Sequence, residues 1–192
     1  ERRAGTGGFL FWGQTTQAVT QDLNSEAGRE FFLLDDESLE AVQFVPFRVL
    51  PGEDASCLNL NRAQRPRLMG VNPAELAYRK AFTFASVDRT QSDAANPWLL
   101  LNDQREDGAV PAIADQNSML WAMGKKLGDT IPYTDGKGET FDVVLVGGLA
   151  NSILQGNLVI AESQFIDRFP HESGYQTFLI DGPVALQGDI AT

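Results

Sequence analysis

Histidine and cysteine each occur once in this chain of 192 residues, as His171 and Cys57. A single cysteine cannot close an internal disulfide. It also leaves the redox compartment open, because a lone cysteine can pack as a small hydrophobe in either setting. A zinc site needs several cysteine or histidine ligands, and this chain brings one of each. A Cys57–His171 nucleophile pair has no local signature, so His171, between Pro170 and Glu172, is expected in a solvent-exposed loop. Positive charge is scarce as well. The 15 Lys and Arg stand against 26 Asp and Glu, a net charge of −11. Such a surface repels phosphate backbones and anionic lipid headgroups, which argues against nucleic acid as a partner. The one basic cluster, Arg62, Arg65 and Arg67, reads as a solvated loop that offsets nearby acids. No G-x-S-x-G elbow is present. Gly5–Gly8 lacks the lysine of a phosphate loop, and Gly136–Glu139 is better explained as a hairpin turn.

Carboxylates are the one abundant chemical group. Asp35, Asp36 and Glu37 run together, as do Glu53 and Asp54. Charge runs are usually solvated faces. A two-carboxylate glycosidase stays open, because its partners lie far apart in sequence. Asp103–Gly108 is too short for a calcium loop. Trp12, Trp98 and Trp121 could form a sugar platform, but their apolar neighbours favour core packing. No catalytic residue, cofactor or metal ligand is therefore assigned.

What is present is structure. Hydrophobic residues make up 43% and charged residues 21%. At this length roughly 70% of the unfolded surface can be buried, enough for a real core. Val143–Ala161 carries no charge for 19 residues. Its Asn151, Ser152, Gln155 and Asn157 would be costly in lipid, so two strands around a loop are expected, not a membrane span.

Strands are expected at Gly8–Val19, Glu40–Leu50, Arg67–Val71, Lys80–Ser86, Trp98–Leu101, Ala109–Asp115, near Ile131, near Val143, at Asn157–Ala161 and at Tyr175–Ile180. Pro46 cannot donate to a ladder, which suggests an edge or a bulge. Helices are expected at Asn24–Leu34 with Asn24 as cap, at Asn72–Arg79 with Pro73 in its first turn, and at Glu162–Phe169 with Phe165, Ile166 and Phe169 inward. A further helix should run from an Asp115 cap to Leu127, with Met119, Leu120, Met123 and Leu127 on one face and Gly128 as its stop. Asp135–Gly138 should turn a hairpin. The outer parts thus give strand–helix–strand twice. The expected fold is α+β, a ferredoxin-like split βαβ porter-type lobe (1–66 and 156–192) with an inserted small β-rich lobe (67–155).

Several stretches resemble one family. Thr6–Phe9, Asp54–Val71, Val110–Ile131, Phe141–Leu149 and Asn157–Pro170 follow, in order, segments of the extracytoplasmic domain of FtsX/MacB-like ABC transporter permeases. The family's proline-glycine before the β lobe is missing, and Lys126-Leu127-Gly128-Asp129 stands in its place. Glu1 at the start, and no closing element over Gln187–Thr192, fit a piece of a longer chain.

The resemblance implies a non-catalytic domain on the periplasmic side of the inner membrane. Its partners would be the transmembrane part of the same permease, an ATP-binding subunit or domain reached indirectly, an extracytoplasmic protein or cargo, and a second copy in a homodimer. Candidate hinges are Leu68, Met69 and Gly70 with Gln155, Gly156 and Asn157, where the chain would cross between lobes. A secreted carbohydrate-active hydrolase and a stand-alone extracytoplasmic binding module are the alternatives.

Overall fold

A computed structural model of the chain describes residues 5–34, 39–52, 65–88 and 95–183. The elements in order are β1 (Phe11–Val19), α1 (Glu26–Phe31), β2 (Gln43–Leu50), β3 (Arg67–Val71), α2 (Pro73–Tyr78), β4 (Phe84–Val87), a 3-10 helix (Pro97–Asn102), β5 (Val110–Asp115), a wide helical turn (Ser118–Ala122), β6 (Thr130–Thr134), β7 (Thr140–Leu149), β8 (Asn157–Ala161), α3 (Glu162–Arg168) and β9 (Tyr175–Asp181). The fold is mixed α+β, with few and short helices on one sheet.

The strands join in the order β1-β9-β2-β3-β8-β5-β7-β4, with β6 on β7. The pairs β3–β8 and β5–β7 are parallel and the others antiparallel. The middle of this sheet is covered on both faces, which is why β3, β5, β7 and β8 read as near-continuous apolar runs. Neighbouring residues alternate between two cores. Met69, Val144, Val146 and Val159 pack with α2 and the 3-10 helix around Trp98. Leu68, Val143, Leu145, Leu158 and Ile160 pack with Met119, Phe165 and Phe169 on the other face. The uncharged run Val143–Ala161 is thus two strands and a loop. Among the described residues no helix is long and apolar enough to cross a membrane.

Local chemistry accounts for most ends. Asn72 caps α2 by accepting from the Ala74 N–H (3.0 Å). Asp135 closes the β6–β7 hairpin, accepting from the N–H groups of Lys137 and Glu139 (2.8 and 2.9 Å). Pro46 is tolerated inside the sheet because β2 changes partners. Its first half pairs with β9 and its last three residues with β3. Pro46 shares the side of Phe44, whose N–H and carbonyl are taken by the Asn24 side chain (both 2.8 Å), not by a strand.

That use of Asn24 is also why it does not cap α1. Ser25 does, accepting from the Gly28 N–H (3.1 Å). Gly28 is required because a Cβ there would lie 2.0 Å from the Asp22 carbonyl oxygen.

Four other expectations are corrected. Trp98–Leu101 is not a strand. Asn96 accepts from the Trp98 N–H (3.0 Å) and winds the segment into a 3-10 helix with Trp98 fully buried. The helix from Asp115 to Leu127 is a single turn ending at Ala122. Gly124 takes a φ of 64, and the Lys125 N–H returns to the Met119 carbonyl (2.9 Å). Leu120 and Trp121 therefore face solvent, and Trp121 is 83% exposed. The strand predicted over Lys80–Ser86 begins only at Phe84, because Lys80 and Phe82 take φ of 49 and 62. In α3, Phe165 and Phe169 are buried but Ile166 is exposed.

Candidate functional site

Of the six candidate crossing residues, Leu68, Met69 and Gly70 lie within β3, and Asn157 opens β8 beside it. Arg67 pairs with Asn157, Leu68 with Leu158, Met69 with Val159 and Gly70 with Ile160, so β3 and β8 run side by side through the centre of the sheet. Leu68 and Met69 are fully buried. Gly70 is packed under α3, where a Cβ would lie 2.6 Å from Phe165 Cβ. Gln155 and Gly156 form the turn that leads into β8. Gly156 has φ 77 and nothing within 4 Å of a would-be Cβ. Its N–H donates to Ser118 Oγ (2.9 Å), and Asn157 Nδ2 donates to the Leu154 and Gln155 carbonyls.

A buried carboxylate fastens this turn. Asp115, at the end of β5, has no solvent exposure. Its Oδ1 accepts from the N–H groups of Asn117 and Ser118 (3.1 and 3.2 Å). Its Oδ2 accepts from the N–H and hydroxyl of Ser152 (2.8 and 3.1 Å). Ser152 in turn bridges Gly5, with Gly5 N–H on Asn151 O and Ile153 N–H on Gly5 O (both 2.8 Å). One side chain therefore joins the end of β5, the Ser118 turn, the β7–β8 turn and the chain leading into β1.

A second clasp lies where β1 begins and β9 ends. Phe11 pairs with Ile180, and the Leu10 N–H donates to the Ile180 carbonyl (2.9 Å). Arg79, at the end of α2, donates to Asp181 (2.8 Å) and lies over the Phe9 ring at 5.7 Å. Gly7 passes so close to the Phe82 ring that a Cβ would sit 2.6 Å from it.

A third polar cluster ties α3 to β2 and β9. Arg48 Nε donates to Glu162 Oε1 (2.9 Å), the Tyr175 hydroxyl donates to the same oxygen (2.8 Å), and the Arg48 guanidinium lies 4.9 Å above the Tyr175 ring. Burial, then the carboxylate of Glu162, raises the Tyr175 phenol above its usual pKa. Beneath it Arg67 donates to the buried Thr177 hydroxyl (2.9 Å), and burial lowers the Arg67 pKa. All three clusters hold elements together; in the second, Arg79 Nε is buried without a hydrogen-bond partner among the described residues.

The other residues singled out in the sequence do not assemble. His171 is exposed in the loop after α3. Trp98 is fully buried, Trp12 is half-buried against Phe47, and Trp121 is exposed, so the three do not share a platform. Cys57, Arg62, Asp35, Asp36, Glu37, Glu53 and Asp54 lie outside the described residues. Among the described residues no cluster of three His, Cys, Asp or Glu could hold a metal ion.

No family model matches this sequence. No curated protein matches it either. Among solved structures the chain is similar to the periplasmic region of MacB from Actinobacillus actinomycetemcomitans, with 11% identity and a TM-score of 0.48. The match covers 92% of this chain and 71% of that one.

Proposed function

We propose that this chain is a non-catalytic extracytoplasmic domain of an FtsX/MacB-like ABC transporter permease, on the periplasmic side of the inner membrane. In this reading it couples movement of the permease's transmembrane part to a protein or cargo outside the membrane. The drive comes from an ATP-binding subunit or domain in the cytoplasm, and two copies form the working transporter.

The observation that carries the reading is the pairing of the first strand with the last, with Arg79 tying Phe9 to Asp181. Such a pairing suits a domain strung between two membrane spans, whose chain leads in and out side by side. That domain must also hold those two strands as one body if movement is to pass through it. The order of family-like segments along the sequence is the second support.

The finer architecture belongs to the same proposal. It takes the units β1-α1-β2 and β8-α3-β9 as a ferredoxin-like split βαβ, porter-type lobe (1–66 and 156–192), with β3 of the inserted lobe running between β2 and β8. Residues 67–155 make the inserted β-rich lobe. The chain crosses at Leu68–Gly70 and Gln155–Asn157. Bending falls on the second crossing, because Gly156 is unhindered while Gly70 lies beneath α3.

Topology mapping tests the function. In the full-length parent protein, with Cys57→Ser, a cysteine at the 87% exposed Tyr78 should react with a membrane-impermeant maleimide in spheroplasts. The labelled protein should stay in the membrane through an alkaline carbonate wash. Release into the soluble fraction would sink the proposal.

The bend is tested by hydrogen exchange. Ser118→Ala removes the acceptor of the Gly156 N–H. Exchange at Gly156 should rise about tenfold, the worth of one net hydrogen bond, with Leu68–Gly70 unchanged. An equal rise at both crossings would rule out a local bend.

A further inference from the structure

The end of α1 presents an apolar surface that the described fold leaves uncovered. Phe31 is 66% exposed and Leu33 83%, and Phe32 packs edge-on against Phe31 with ring centroids 4.9 Å apart. Leu33 also carries strain. The Leu34 N–H donates to the Arg29 carbonyl (2.8 Å) and the Leu33 N–H to the Glu30 carbonyl (3.1 Å). Those two bonds are a Schellman cap, whose left-handed residue is usually glycine. Here that residue is Leu33, with φ 56. A large apolar side chain is kept in an unfavourable conformation where it meets water and not core.

Beside this cap lies a groove of 670 Å³, lined by Asn24, Glu26, Arg29, Glu30, Leu34 and Glu40. Its one cation is already engaged. The Arg29 guanidinium donates to the carbonyls of Leu39 (2.7 Å) and Val42. Among the described residues Glu26, Glu30 and Glu40 make no ion pair. The face is therefore apolar at its rim and negative in its groove.

We infer that this face docks a cationic amphipathic segment of a partner protein. The segment's apolar side chains cover Phe31 and Leu33, and its lysines or arginines enter the groove against the three glutamates. Charge selects this occupant over two others. A second copy would bring the same glutamates and the same net charge of −11 to the contact. An anionic lipid surface would be repelled for the same reason. The inference deepens the proposed function by naming the face on which an extracytoplasmic partner sits. It rests on that reading only for the compartment where the two meet.

The test uses the 192-residue chain and a dye-labelled amphipathic helix of leucine and lysine, read by fluorescence anisotropy. A leucine–glutamate helix of the same pattern is the control. The lysine peptide should bind and the glutamate peptide should not. Leu33→Gly should weaken binding about tenfold, as should the pair Glu26→Lys with Glu30→Lys. Leu33→Gly should melt no lower than the parent, because glycine suits the cap, so its loss of binding is not a folding defect. Phe31→Ser gives a second variant outside the cap position. Unchanged binding by Leu33→Gly and Phe31→Ser would overturn the inference, leaving only attraction to overall charge. So would a dimer in sedimentation that Leu33→Gly dissolves, or binding to phosphatidylglycerol vesicles that it abolishes. A failed topology experiment leaves the peptide result standing, and a failed peptide experiment leaves the topology result standing.

Discussion

Replacing Asp115 by alanine is expected to lower stability by roughly 4 kcal/mol, from unsatisfied buried donors and lost charge-assisted bonds. The carboxylate accepts four hydrogen bonds, and all come from groups within the protein. Ser118 and Ser152 are buried, so their freed N–H groups have little access to water. Asp115→Asn should fall between the two, about 2–3 kcal/mol, because one carboxylate oxygen becomes an NH₂ that faces donors. The damage should spread in a defined pattern. Exchange at Ser118 and Ser152 should rise first, followed by Gly5 and Ile153, which depend on the Ser152 turn. Urea unfolding gives the first number and hydrogen exchange the pattern. A loss for Asp115→Ala below about 1 kcal/mol would mean that water replaces the carboxylate and that the four elements are not joined through it.

This centre also marks the limit of what sequence reveals. Asp115 was expected as a helix cap, and it does cap the Ser118 turn. Its other partner, Ser152, lies 37 residues away, and nothing in local pattern signals a bond of that range. The same holds for Arg79 and Asp181, 102 residues apart. The central strands were legible because burial on both faces leaves an unbroken apolar run. Asn72, Pro73 and the Asp135–Gly138 hairpin were legible because their chemistry is confined to a few neighbouring residues.

Misreadings arose where one pattern fits two conformations. Met119, Leu120, Met123 and Leu127 have helical spacing, yet one turn followed by an extended return buries Met119 and leaves Leu120 outside. Four apolar residues at Trp98–Leu101 fit a strand until Asn96 and Pro97 are seen to start a helix. The exposure of Phe31 and Leu33 had no signal of its own. An apolar run ordinarily means core, but Phe31 ends α1 on its outer face and the left-handed cap at Leu33 turns that residue to solvent.

A methyl group at Gly70 should cost more than one at Gly148, although the contact at Gly148 is the shorter. An ideal Cβ on Gly148 would meet Gln116 Oε1 at 1.9 Å and Ser86 Oγ at 2.7 Å. Both atoms are ends of side chains that can swing away. The cost is then about the Ser86–Gln116 hydrogen bond, ~1 kcal/mol. At Gly70 the Cβ would meet Phe165 Cβ at 2.6 Å and Cγ at 2.8 Å. No rotamer moves a Cβ. The Phe165 ring is itself fully buried against Phe169, with centroids 5.3 Å apart, so α3 as a whole must rise off β3. Gly70→Ala should therefore lose about 2–3 kcal/mol, the upper part of the usual range for overpacking. Shortening the ring should not rescue it. In a Phe165→Leu background Gly70→Ala should cost nearly the same, because the obstructing Cβ remains. Displacing α3 should also disturb the Arg48–Glu162–Tyr175 cluster, since Glu162 opens that helix. A Gly70→Ala variant as stable as Gly148→Ala would show that α3 yields easily. The first crossing would then be free to bend, and the proposal that bending falls on Gln155–Asn157 alone would fail.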